Sequence, residues 1–332
     1  MVRISALLLV LLAATACGDA DPEPAAGSDT SATPSPTPSE AAEVEVAPYV
    51  DVDAGPVGLT AAEDGSVWVV AAQGETVARI PAGGTAPDLT VDAPGVPLRA
   101  TAAEGAVWVS SFHGQELLRI DPATGEVTAR VQTGEGPEGV AGGFGSVWLV
   151  VQDAGTLLRI DPATAKVTAK LDIGVGARLV APGPDAMYVA HYADGTVLRV
   201  DPQTGEVTAS EPVCEGPQGM AVTGGRVWVT CTLSEELVAL DAASLEKVAS
   251  VPVEGSPDSV AATDDGRLAV VAEDGPRLVV VDPASATLVA ETVLGQEPAL
   301  NDRANLDLAL AGGEAWVGSF FADRVYHVPL PG

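Results

Sequence analysis

At intervals of 40 residues the chain carries Glu138, Arg178, Gln218 and Asp258, and Arg99 and Asp307 stand one position beyond the same slot in two further copies. Carboxylates beside arginines can exchange protons, share a divalent cation, or form a mixed-charge set that orients a polar ligand. A second recurring slot holds Ala72, Phe112, Gln152, Tyr192, Thr232, Glu273 and Phe320, with His113 and Phe321 directly after two of them. In a sequence with so few aromatics, this clustering suits an amphipathic binding rim. The three histidines argue against catalysis. His113 and His191 fall in different registers, and His327 occupies a slot that arginine fills elsewhere. No pair of them is spaced to ligate a metal.

The elements that must carry these residues are legible from the tryptophans. Trp68, Trp108, Trp148, Tyr188, Trp228, Ala269 and Trp316 mark one slot of a repeat of about 40 residues. Two further markers keep step with it: Asp121, Asp161, Asp201, Asp241 and Asp282, and Arg79, Arg119, Arg159 and Arg199. Each unit reads as short strands rich in β-branched residues, such as Ser146 to Val151, Thr156 to Ile160 and Lys166 to Leu171. Between the last two strands comes an Asp-Pro-Ala-Thr-Gly turn, as in Asp121 to Gly125, where Pro presets φ and Gly accepts the left-handed position. Helical repeats would need a 3.6-residue period, which is absent. The fold class is all-β: a seven-bladed β-propeller with four antiparallel strands per blade.

The last unit contains Leu308 to Ala311, Ala315 to Phe320 and Arg324 to Leu330 and then ends, one strand short. A spare strand, Glu43 to Asp53, precedes the first unit. It is expected to complete the last blade and close the ring, because closure removes an exposed sheet edge. The loops between blades and those joining second and third strands then share one face, around the channel mouth. That face would hold both slots described above. It would also hold a longer loop from Gly295 to Asn305 containing Arg303. Candidate binding residues are Arg99, Phe112, His113, Glu138, Arg178, His191, Tyr192, Gln218, Asp258, Arg303, Asp307, Phe320 and Phe321. Blade order predicts that Phe112 and Phe320 approach each other across blade one. Three plainer readings compete: a channel mouth polar because water fills it, aromatics that only pack loop on loop, and slack at the ring closure. Cys214 and Cys231, 17 apart, are expected at loop ends on the same face and form a candidate disulfide.

Units of the form Gly-Pro-x-Gly-Val, Val-Trp-Val and Leu-Leu-Arg-Ile-Asp-Pro-x-Thr-Gly-Glu-Val-Thr-Ala resemble those of the YVTN-type propellers and the related streptogramin (virginiamycin B) lyase-like family. The resemblance spans residues 44–332. In such lyases, histidines in the channel would act as acid and base beside carboxylates and Mg²⁺. Here that slot holds Glu138, Gln218 and Asp258, and no lyase residue carries over.

The N-terminus is a targeting signal. Arg3 precedes an apolar stretch from Ile4 to Ala14, too short to span a bilayer. Ala14-Thr15-Ala16-Cys17-Gly18 resembles a bacterial lipoprotein box, with Ala14 where Leu is usual; cleavage after Ala16 leaving a free thiol is the alternative. Residues 1–16 are therefore expected to be a signal peptide. Residues 17–43, including Thr33-Pro34-Ser35-Pro36-Thr37-Pro38-Ser39, form a lipidated tether unable to bury itself, and residues 44–332 the propeller. The net charge of −30 becomes −31 once Arg3 is removed. That excess repels phosphate and excludes nucleic acid and anionic membrane faces as partners of the domain. Composition rich in Ala, Val, Gly and Asp suits a high-GC, actinobacterial source.

The expectation is a monomeric, lipid-anchored surface propeller without a cofactor. It would bind an envelope or extracellular protein, a peptide or a small ligand, and meet the membrane only through its anchor. The alternative is a lyase-like or lactonase-like enzyme holding Mg²⁺ or Ca²⁺ through Glu138, Asp258 or Asp307. Replacing Cys17 by Ala is expected to abolish incorporation of labelled fatty acid and move the protein from the membrane pellet to the soluble fraction.

Overall fold

The computed structural model describes residues 47–295 and 306–330. Cys17, the proposed tether, and Arg303 lie outside the described residues. Seven four-stranded antiparallel sheets form the blades. Blades one to six run over residues 56–92, 97–132, 137–172, 177–212, 217–252 and 257–293. The seventh combines Leu308–Ala311, Glu314–Ser319 and Arg324–Pro329 with the N-terminal strand Tyr49–Asp51.

The repeat exists because each seam between blades needs filling. Trp68, Trp108 and Trp148 are fully buried and lie in the seams between blades one and two, two and three, and three and four. Trp228 and Trp316 do the same between blades five and six and between seven and one. Tyr188 takes the slot between blades four and five, and its hydroxyl donates to the Ala242 carbonyl across that seam at 2.6 Å. Ala269 leaves the slot small in blade six. There the volume is made up by Tyr326, Leu278, Leu294 and Leu306.

The arginine marker has a packing role. Arg119 and Arg159 lie over the rings of Trp108 and Trp148, 5.8 and 5.5 Å from the centroids. Arg79 and Arg159 donate across the seam to the carbonyls of Pro122 and Pro202 in the next blade. Blade five has Ala239 opposite Trp228. Arg226 replaces the missing guanidinium, lying 6.0 Å from the Trp228 ring and donating to the Pro283 carbonyl. His327 stands opposite Trp316 and stacks on it at 4.7 Å, with Nδ1 3.2 Å from Glu314. Its role is structural.

The turn marker is equally mechanical. Asp121 Oδ1 accepts the N–H groups of Ala123 and Thr124, and Asp201 Oδ1 those of Gln203 and Thr204. Backbone donors of this kind hold the Asp121, Asp161, Asp201 and Asp241 carboxyls below their ordinary range; at Asp282 the Ser285 hydroxyl leads. Gly125 and Gly205 take the left-handed position easily, while Ala165, Leu245 and Ala286 take it at some strain.

The ring closes through the N-terminal strand. Tyr49, Val50 and Asp51 pair with Tyr326, Val325 and Arg324. The strand runs from Tyr49 to Asp51, and residues 43–46 of the expected Glu43 to Asp53 lie outside the described residues. Pro48 has no N–H to donate, although its carbonyl accepts from His327 N. Val50 is 1% exposed and packs in the seam between blades seven and one with Leu59, Val69, Trp316 and Val325. Among the described residues no helix is long and apolar enough to cross a membrane. Val50→Asp places an unpaired charge in that seam and is expected to cost on the order of 4 kcal/mol, read as a lowered urea midpoint.

Candidate functional site at the channel mouth

Inner strands begin at the end of the inter-blade loop, at Pro56, Pro97, Pro137, Ala177, Pro217 and Pro257 in blades one to six, and the recurring polar slot comes directly after. Glu138, Gln218, Asp258 and Arg99 are buried there, and Arg178 is partly exposed. One position on, three blades carry glycine, where the next blade lies close. A Cβ at Gly58, Gly139 or Gly219 would come within 2.6 Å of the carbonyl of Leu98, Arg178 or Asp258.

That close approach builds one specific arrangement. Arg99 of blade two and Asp307 of blade seven meet over blade one, where Gly58 presents no side chain, with Nη1 3.3 Å from Oδ2. Arg99 Nη1 also donates to the Val57 carbonyl. Asp307 accepts from the Ser259 hydroxyl, the Leu59 N–H and its own neighbour's N–H at Leu308. Burial disfavours the Arg99 charge, but Asp307, Asp258 and Glu138 together raise its pKa.

Further round the ring, Arg178 donates to Gln218 Oε1 at 3.4 Å and stacks over the Tyr192 ring at 3.7 Å. Gln218 is 0% exposed and Asp258 1% exposed. The Gln218 Nε2 donor and both Asp258 oxygens have no ordinary hydrogen-bond partner in the protein. The Asp258 carboxyl instead faces that of Glu273, which stands in the second slot of the same blade. Burial first, and then Glu273, push the Asp258 carboxyl well above its ordinary range, with Arg99 opposing. Burial also raises Glu138 against the pull of Arg178 and Arg99. The mouth is therefore a ring of interacting charges in which burial shifts two carboxyls upward.

The aromatics behave differently from the expectation. Phe112 packs edge-on against His113 at 5.3 Å, and Phe320 against Phe321 at 5.4 Å. Phe112 and Phe320 make no ring contact; blades two and seven meet instead through Arg99 and Asp307. Phe320 lies against Gly55 in the loop between blades seven and one, while Phe321 is exposed. His191 is buried beneath the preceding inter-blade loop, its Nε2 against Gly174. Its Nδ1 accepts the Asp194 N–H at 3.3 Å.

The structure adds a groove that the candidate residues touch only at Tyr192. It has a volume of about 580 Å³ and lies on the same face between blades four and five, lined by Tyr192, Asp194, Cys214, Glu215 and Leu233 among others. Cys214 and Cys231 are joined in a disulfide with Cα atoms 5.9 Å apart, pinning the groove's inter-blade loop to blade five. Closing 17 residues in this way is worth about 3 kcal/mol. The sequence signal for the groove was Leu233, one of two large apolar residues, with Phe321, at a hairpin tip where three blades carry Gln73, Asp153 or Asp274.

Fold and site define a seven-bladed propeller with a charged channel mouth, and the comparisons agree on the fold. The virginiamycin B lyase of Staphylococcus aureus superposes with a TM-score of 0.72 at 15% identity, covering 85% of this chain and 98% of that one. A streptogramin B lyase structure gives 0.72 at 14%, covering 84% and 95%. The hydrazine synthase of Kuenenia stuttgartiensis gives 0.73 at 14%, covering 85% and 97%. At these identities the likeness is one of fold. A family model described as outer membrane protein assembly factor BamB matches residues 193–320, less than half of the chain. None of the curated proteins matches.

A carboxyl with a raised pKa means the folded chain holds more protons than the unfolded one, so stability falls as pH rises from the ordinary carboxylate range through the raised value. Asp258→Asn removes that penalty. Thermal melts should show the variant above wild type at neutral pH, with the difference closing as pH falls to about 4.

Proposed function

We propose that this chain is a non-enzymatic binding module that uses its channel-mouth face, held at the cell surface by a lipid on Cys17. Its ligand is an envelope or extracellular protein, a peptide or a small molecule. One observation carries the reading. Gln218 presents a buried amide donor with no partner among the described residues, and Asp258 in the next blade presents a buried carboxyl that meets the Glu273 carboxyl. Buried polar groups are almost always paired, so a leftover donor beside a carboxyl pair at one opening suits a polar guest. The stacked Arg178 and Tyr192 stand next to them and supply a charged, planar contact.

The enzyme reading draws on the fold shared with the lyases, but the donor set does not fit a metal. Asp307 already accepts three hydrogen bonds and an arginine. Among the described residues no group of three or more His, Cys, Asp or Glu is gathered to hold an ion.

Thermal-shift screening of the mature protein against amines, amino acids, short peptides, MgCl₂ and CaCl₂ tests the proposal. An organic compound should raise the melting temperature of wild type and leave a Gln218→Leu, Asp258→Asn variant unmoved. Stabilisation by Mg²⁺ or Ca²⁺ alone, or a hit indifferent to that variant, would overturn the assignment.

A further inference from the structure

The groove between blades four and five combines two features that suit one kind of guest. Its walls are apolar where a flexible stem would lie: Leu233 is 57% exposed, and Tyr192, Pro212 and Val213 line the same space. Its edges carry two carboxylates, Asp194 and Glu215. Among the described residues neither forms an ion pair with a lysine or arginine. His191 Nδ1 accepts the Asp194 N–H at 3.3 Å and lies 3.6 Å from Asp194 Oδ2.

The groove is also held open. Gly216 takes a positive φ, and a Cβ there would strike both Tyr192 and Leu233 at 3.0 Å. The disulfide fixes the loop on either side of it. Arg178 stacked at 3.7 Å keeps the Tyr192 ring in place. Little ordering remains to be done on binding, which favours affinity. A volume of about 580 Å³ is in the range that ligand sites occupy.

We propose that this groove takes the lysine or arginine side chain of a peptide segment, with the aliphatic stem along Tyr192 and Leu233 and the cationic head between Asp194 and Glu215. Long basic side chains bury their methylenes on apolar surface while the charge stays in water at the edge. A chain with 46 acidic and 16 basic residues draws such a partner from a distance. The inference rests on the reading of this face as the binding face and adds to it the chemistry of the guest.

The test uses fluorescence anisotropy at roughly physiological salt. The probe is a labelled six-residue peptide of alternating leucine and lysine, set against the same peptide with its lysines acetylated. Wild type should bind the lysine peptide and bind the acetylated one at least several-fold more weakly. Asp194→Asn with Glu215→Gln should weaken binding about threefold to tenfold, the range for two partly exposed ion pairs. Leu233→Ala should weaken it too. Glu126→Gln with Glu246→Gln, which removes equal charge from exposed turns on the outer rim, should change nothing.

Equal loss in that control would reduce the effect to the overall negative field and overturn the proposal. So would an unchanged groove variant or a wild type that does not bind. Loss in the Gln218→Leu, Asp258→Asn variant but not in the groove variant would sink the groove while leaving the channel mouth as the site. Loss in the groove variant alone would uphold the groove and move the peptide site away from the channel.

Discussion

A ring of sheets stands or falls on the packing of each sheet against the next. Six of the seven seams in this protein are filled by a single tryptophan or tyrosine, and the sequence repeats because the seam repeats. Where the tryptophan is missing, in blade six, residues from blade seven and the flanking loops enter the gap. Where the arginine is missing, in blade five, Arg226 approaches the indole from two residues earlier on the same strand. In both cases the seam is filled from a different source. The seventh seam is the demanding one, since it joins the two ends of the chain, and it is there that Val50 is locked between Trp316 and Leu59.

The same tightness shapes the channel mouth. Blades approach so closely at the inner strands that Gly58, Gly139 and Gly219 leave no room for a side chain one position past the polar slot. The two charged residues at that position, Arg99 and Asp307, reach over Gly58 to each other. A buried ion pair of this kind adds little net stability over an apolar pair, but it is costly to break, and it fixes which blades adjoin at the closure. On the opposite arc no such partner reaches Asp258, and its carboxyl meets Glu273 instead. The mouth is consequently uneven: closed by an ion pair over blade one, with a carboxyl pair in blade six and a leftover amide donor in blade five.

Much of this could be read in the residues. Three markers in step gave blade number, strand order and the clasp, because seams and turns are local demands that recur every 40 residues. The face of each loop followed from the same register. What escaped was anything decided between blades by side-chain direction. Phe112 and Phe320 occupy equivalent slots flanking one blade, yet Phe320 lies against Gly55 and Phe112 against His113. Register fixes the Cα position and leaves the rotamer to the neighbours. The groove escaped for a related reason, since it is made by the space between two loops and no single residue announces it. Leu233 was its one visible trace.

The aspartate turns on the outer edge have a consequence for the molecule as a colloid. Five carboxyls, from Asp121 to Asp282, are held below the ordinary range by donors of their own turns. Mild acid discharges free carboxylates first and these last. A belt of negative charge then persists around the rim while the rest of the surface loses its own, and copies of the protein continue to repel one another edge to edge. The turn repeat thus also sets how crowded such propellers can become as the medium acidifies.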